Sequence, residues 1–140
     1  MKTTYHFNET PYGLQDMIFD GLEVRGDSLI MHLPEGLISN EEPYRVVSGT
    51  VSITGVDFEN SFVHILSHYA MVGAFAGQKI ELLRFLEDYR YRDFEINKEY
   101  HGNDSTIYKG YFSVFNGDNL VVEAMIEISH DGGIVYETEE

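Results

Sequence analysis

The stretch Leu22-Glu23-Val24-Arg25-Gly26-Asp27-Ser28-Leu29-Ile30-Met31-His32-Leu33 decides the fold class. Ile18, Leu22 and Val24 share one parity up to Gly26-Asp27, after which Leu29, Met31 and Leu33 take up a second alternating face. A period of two belongs to a strand, whose side chains point to opposite faces in turn. Gly26 and Asp27 are residues that turns recruit. The segment therefore predicts an antiparallel hairpin turning at Arg25-Gly26-Asp27-Ser28 and ended by Pro34-Glu35-Gly36. Arg25-Gly26-Asp27 also spells the integrin-binding tripeptide, but its place at a hairpin corner makes it turn chemistry.

The same alternation continues outward from this hairpin. From Arg45 to Ile53, Val47, Val51 and Ile53 face one way and Ser48, Thr50 and Ser52 the other, which predicts a strand with one wet face. Phe62 to Tyr69 fits a buried strand or a short helix equally well, and Ala70 to Gly77 reads as a small-residue connection. In Gln78 to Tyr89 the apolar residues Ile80, Leu83, Leu86 and Tyr89 recur three apart, widened by Leu82 and Phe85, so residues 78–89 are expected to form a helix. Strands follow at Tyr91–Tyr100, Thr106–Phe115, Leu120–Ser129 and Ile134–Thr138, separated by turns rich in Gly, Asn and Asp. No Pro, Gly or Ser tract divides the chain. The expectation is one domain of mainly β structure, α+β at the margin: an antiparallel sandwich or strongly curved sheet of seven to eight strands with one short helix near residues 78–89.

Composition narrows the classes of function. The 140 residues carry 24 Asp and Glu against nine Lys and Arg, a net charge of −15, which repels the phosphate backbone of a nucleic acid. The same field would draw in a basic protein partner and raise its association rate. There is no Cys, so disulfides, thiolate metal sites and cysteine nucleophiles are excluded. No run approaches the ~20 apolar residues that cross a bilayer, and the start of the chain lacks the apolar core of a secretory signal. A cytoplasmic address without membrane contact is the simplest expectation. No Gly-rich strand-to-helix loop calls for a nucleotide, and no cofactor is expected.

Two constellations could carry chemistry. His64 and His68 are four apart, which on a helix would place both imidazoles on one face as a divalent metal requires, with Asp57 and Glu59 upstream to complete the sphere. On a strand the two rings would share a face but stand too far apart to chelate easily. The second constellation is the aromatic and acidic stretch Tyr89, Tyr91, Phe94, Glu95, Glu99, Tyr100 and His101. Glu95 and Glu99 on a strand would share a face beside His101, a carboxylate pair able in principle to exchange protons, and tyrosines on a wet sheet face suit protein or sugar ligands. The ordinary alternative is a set of cross-strand pairs. No nucleophile elbow or oriented triad is present.

The run Leu14-Gln15-Asp16-Met17-Ile18 followed by Leu22 to Leu33 resembles the opening hairpin of several small bacterial β-proteins, some grouped with polymorphic-toxin immunity proteins. In those a His-Asp pair often precedes the first strand, and here Gln15 stands in place of the His. The resemblance implies a small cytoplasmic β-domain that binds another protein.

The sequence thus predicts a non-enzymatic binding domain acting on a protein partner, basic in the immunity-type version, through an exposed sheet face or strand edge. An exposed edge would also allow homodimers. The rival is a small-ligand or metal-binding protein using His64 and His68 or the stretch from Tyr89 to His101.

Overall fold

The alternating segments become strands, and their paired edges build two sheets. The structure, a computed structural model, describes residues 2–5, 10–68, 75–88, 93–114 and 120–139. Its elements in chain order are β1 (Lys2–Tyr5), β2 (Tyr12–Gly13), β3 (Ile18–Phe19), β4 (Gly21–Arg25), β5 (Ser28–Ser39), β6 (Val46–Ile53), a 3-10 turn (Phe58–Asn60), β7 (Phe62–His68), β8 (Phe75–Glu81), α1 (Leu82–Asp88), β9 (Phe94–His101), β10 (Ser105–Val114), β11 (Leu120–Ser129) and β12 (Ile134–Thr138). One six-stranded sheet runs β1-β12-β6-β5-β2 with β4 also on β5, and the other runs β3-β9-β10-β11-β7-β8. The described pairings are antiparallel. Among the described residues the fold is mainly β with one short helix, as the patterning predicts, but there are twelve strands and not seven to eight, because β1 and the two-residue strands β2 and β3 are set by long-range pairing and leave no alternation to read.

The two inner faces close over one core. Leu29, Met31, Leu37, Val51, Ile53 and Tyr136 come from the first sheet, and Phe19, Val63, Ile65, Phe94, Ile96, Ala124, Ile126 and Ile128 from the second, all buried in a single apolar cluster. Each large side chain removed from water contributes about 1.5–3 kcal/mol, so this cluster is the main stabilising term. A row of rings, Phe19 to Phe94 to Phe112 to Phe85 with centroids 5.0, 4.5 and 5.0 Å apart, ties β3, β9, β10 and α1 together.

Several local expectations are corrected. Residues 78–81 are strand, not helix: Gln78, Lys79, Ile80 and Glu81 pair with Ile65, His64, Val63 and Phe62 of β7. Ladder bonds to β7 outweigh helical propensity until Leu82, whose N–H donates to the Ser61 carbonyl at 2.9 Å. The helix, starting later, buries Leu82 and Phe85 and exposes Leu83. The segment 62–68, open between helix and strand, is a strand. Pro34-Glu35-Gly36 does not end β5; the register slips between Leu33, opposite Gly49, and Leu37, opposite Val47, so the three residues form a bulge and the strand continues to Ser39. Pro34 lacks an N–H, and a bulge is where a strand tolerates that.

Ile18 also does not belong to the first hairpin. The hairpin itself turns at Arg25–Ser28 as expected, with Gly26 at φ 64°. Ile18 and Phe19 instead pair with Glu95 and Phe94 of the opposite sheet. Residues 12–25 therefore cross from β5 to β9 and back to β5, joining the two sheets along one seam.

Candidate functional site

Among the described residues the seam pairs with only half of one strand edge, and the reason begins at Gly110. A Cβ there would collide with the backbone carbonyl of Glu95, so glycine permits a close approach of β9 to β10. At that point the register slips: Gly110 pairs with Ile96 but Lys109 with Lys98, leaving Asn97 as the extra residue of a bulge. One added residue inverts the phase of everything beyond it. Before the bulge Phe94 and Ile96 are buried and Glu95 is exposed; beyond it Glu99 and His101 are partly buried while Lys98 and Tyr100 are exposed. Glu95 and Glu99 consequently stand on opposite faces and do not form the carboxylate pair that simple alternation predicts.

Turned inward, Glu99 and His101 are held by named partners. His101 Nε2 lies 2.7 Å from Glu99 Oε1, with the two side chains only 8% and 15% exposed. Glu99 Oε2 accepts the backbone N–H of Leu14 at 2.6 Å. On its other side His101 Nδ1 is 3.3 Å from the Thr106 hydroxyl, which is 2.9 Å from His130 Nε2. His130 Nδ1 in turn lies 2.8 Å from the Gly132 carbonyl oxygen. A polar chain thus runs through the protein from the seam to the turn between β11 and β12. The His101 ring meets Tyr108 edge-on at 6.0 Å. Burial pushes the Tyr108 phenol well above its usual range, with Tyr136 and the Glu99 carboxylate adding to the effect.

A groove of about 630 Å³ opens beside this pair. It is lined by Thr10, Gly13 and Gln15, by Ile38 and Asn40 at the end of β5, and by Lys98, Glu99, Tyr100 and His101 of β9. Asn40 is fixed by donating from Nδ2 to the Thr10 carbonyl at 2.9 Å. Gly13 keeps the groove open, because a Cβ there would sit 3.1 Å from Asn40 Oδ1. At the seam, Ile96 exchanges backbone hydrogen bonds with Asp16 and Met17 at 2.7 and 2.9 Å. Beyond Ile96 no described backbone pairs with this edge of β9. Gly102 N donates to Ser105 O at 2.8 Å, and alternation from that pair turns the N–H and C=O groups of Glu99 and His101 away from β10, toward the groove.

The chain matches no family model, no curated protein and no solved structure.

Of the predicted ligand-binding residues, Glu99, Tyr100 and His101 come together on the groove. Glu95 lies on the outer face, opposite Tyr111 and Ile18. Tyr89 and Tyr91 lie outside the described residues. His64 and His68 both fall on strand β7, where four residues span about 13 Å. His64 Nε2 is 3.3 Å from Glu127 Oε1 on the neighbouring strand, and Asp57 holds Asn60 Nδ2 at 2.8 Å. Among the described residues no group of three or more His, Asp and Glu is arranged to hold a metal ion. No helix among them is long and apolar enough to cross a membrane.

Sequence reading misses Thr106, His130 and Leu14, and with them the groove residues Thr10, Gly13, Ile38, Asn40 and Lys98. No spacing connects residues drawn from the seam, the β9–β10 hairpin and the connection between β11 and β12. One signal was available: Gly110 in the middle of an otherwise β-branched and aromatic strand marks a bulge, and with it the phase of Glu99 and His101.

Proposed function

We propose that this chain is a non-enzymatic cytoplasmic binding domain that takes an extended segment of a basic protein partner into the groove, along the edge of β9. The observation that carries the proposal is the edge of β9 beyond Ile96, with which no described backbone pairs. The backbone N–H and C=O groups of Glu99 and His101 face a groove of about 630 Å³, and a peptide laid along this edge would gain ladder hydrogen bonds whatever its side chains. Tyr100, half exposed, and Ile38, which also lines the groove, offer the aromatic and aliphatic contacts typical of interface centres. The net charge of −15 supports a basic partner through long-range attraction. This is the immunity-type arrangement in physical terms, an acidic domain covering a cationic one.

A second reading rests on the size of the groove, which falls in the range of small-ligand sites, and on the amides and hydroxyl of Asn40, Gln15 and Thr10. A small polar solute would then be the ligand.

An NMR titration separates the two. A peptide of alternating Lys and Val is expected to shift the backbone amides of Glu99 and His101, with an affinity that falls as salt rises and is lost in Tyr100→Ala. Shifts confined to other surfaces, or salt-independent binding, would overturn the protein-partner reading. Displacement of amide signals by neutral sugars or small polar acids but not by the peptide would favour the second reading. Sedimentation of the protein alone tests whether a second copy occupies the same edge.

A further inference from the structure

We infer that Glu99, His101, Thr106 and His130 form a proton relay, holding one proton more than an ionised carboxylate and two neutral imidazoles, and able to pass it between the groove and the turn at 130–133. The inference is independent of what the groove binds. It follows from what each partner can donate or accept.

The chain of contacts has one fixed end. The Gly132 carbonyl can only accept, so His130 Nδ1 must carry a proton and donate it. If His130 is otherwise neutral, its Nε2 accepts, and the Thr106 hydroxyl donates to it. The Thr106 oxygen then accepts from His101 Nδ1–H. A neutral His101 has spent its single ring proton there, leaving its Nε2 lone pair against Glu99 Oε1 at 2.7 Å. Two lone pairs at that distance repel. A further proton must lie between them, on His101 as imidazolium or on the Glu99 carboxyl.

The opposite arrangement satisfies every contact equally. His130 as imidazolium donates from Nε2 to the Thr106 oxygen, Thr106 donates to His101 Nδ1, and a neutral His101 donates from Nε2 to ionised Glu99. The two states interconvert without moving a heavy atom: the His101 Nδ1 proton passes to the Thr106 oxygen as the Thr106 proton passes to His130 Nε2. Charge is conserved, and one positive charge travels from the groove to the turn between β11 and β12.

Among the described residues few ionisable groups surround the relay. Tyr108 packs its ring edge-on to His101, Lys98 stands on the groove wall, and Asp104 and Asp131 are exposed in the two flanking turns. His130 is tied to the first of these turns by its N–H, which donates to the Asp104 carbonyl at 2.9 Å. A cation entering the groove beside Glu99 favours the state with the charge on His130. Occupancy of the groove is thereby coupled to the charge at the turn between β11 and β12.

The experiment is a proton inventory of the intact protein near neutral pH, where an imidazole can hold either charge state. Ring nitrogen shifts of His101 and His130 and the carboxyl carbon shift of Glu99 report every proton on these groups. The expected count is three, one on each imidazole plus the shared one, for the contacts described. In Thr106→Val, where Nδ1 of His101 loses its hydroxyl partner, the inventory is expected to fall by one, while Thr106→Ser keeps the wild-type count. An ionised Glu99 with both rings neutral in the folded wild type would overturn the relay, as would an unchanged inventory in a folded Thr106→Val. If the valine variant does not fold, the wild-type and serine inventories still decide the proton count.

Discussion

Leu14 and Glu99, 85 residues apart in the chain, are joined by a 2.6 Å hydrogen bond from the Leu14 backbone N–H to Glu99 Oε2. The carboxylate belongs to one sheet, and the amide to the segment that crosses from the other. A single side chain therefore fastens the seam beside the groove and orients His101 at the same time. Hydrogen bonds to charged groups contribute about 1.5–3 kcal/mol, and a buried partner left behind costs more. Glu99→Ala is expected to lower unfolding stability by about 2–4 kcal/mol in urea, and Glu99→Gln, which still accepts from Leu14, by about 1 kcal/mol. Equal losses for the two variants would show that the Leu14 contact does not matter.

Gly110 sets the phase of the site and should tolerate nothing larger. A Cβ at 110 strikes the Glu95 carbonyl, a backbone atom that cannot move without breaking the β9 ladder. Gly110→Ala is expected to cost about 3 kcal/mol or more, the range reserved for forced backbone shifts. Gly21→Ala is the matched control: a Cβ there meets nothing closer than the His32 ring at 3.8 Å, so its effect should stay within about 1 kcal/mol. Thermal or urea unfolding of the pair checks the contrast, and similar stabilities would remove the steric argument for the bulge.

That bulge also explains how far the site was legible in the sequence. The strands read cleanly because Leu29, Met31 and Leu33, and again Val51 and Ile53, alternate without interruption and are buried in the structure. Alternation fails where one residue is inserted. Asn97 inverts β9, so Glu99 and His101 point inward although Glu95 points out. The bulge at 34–36 carries β5 onward to Ser39, where Ile38 and Asn40 can reach the groove. The helix boundary failed for another reason. A three-residue recurrence over 78–89 cannot register that β7 offers an edge to Gln78–Glu81, because that pairing is a tertiary fact. Long-range partners such as Thr106 and His130 leave no local pattern at all.

Tyr108 gives a pH dependence with a definite sign. Its hydroxyl is fully buried and has no hydrogen-bond partner among the described residues, and burial raises its ionisation well above the usual phenol range. The unfolded chain loses this proton from about pH 10, while the folded protein retains it. The unfolded state then binds fewer protons, so stability is intact below about pH 10 and declines above it, by up to about 1.4 kcal/mol per pH unit for this group. Tyr108→Phe removes both the buried hydroxyl and the titration. It is expected to leave stability unchanged or raise it by about 1 kcal/mol at neutral pH, and to flatten the alkaline decline. Urea midpoints across the alkaline range report both effects. A steeper decline in the variant would contradict the assignment.

Asp16 holds the turn that presents Leu14 to Glu99, and it does so from the left-handed region, with φ at 67°. Its N–H donates to the Ile96 carbonyl at 2.7 Å, so the conformation is fixed by the seam and not by preference. Asp visits this region more readily than most residues, Ala less so, and a β-branched side chain hardly at all. Glycine carries no Cβ penalty there but gains freedom in the unfolded chain, and the two effects nearly cancel. Asp16→Gly is therefore expected to be neutral within about 0.5 kcal/mol, Asp16→Ala to cost about 1 kcal/mol, and Asp16→Val more than that. Because the strain lies next to the Leu14 amide, the valine variant should also weaken the Leu14–Glu99 bond, visible as faster hydrogen exchange of the Leu14 amide. An alanine variant as stable as the parent would show that the turn relaxes to another conformation, and the Leu14 amide would then exchange quickly in that variant too.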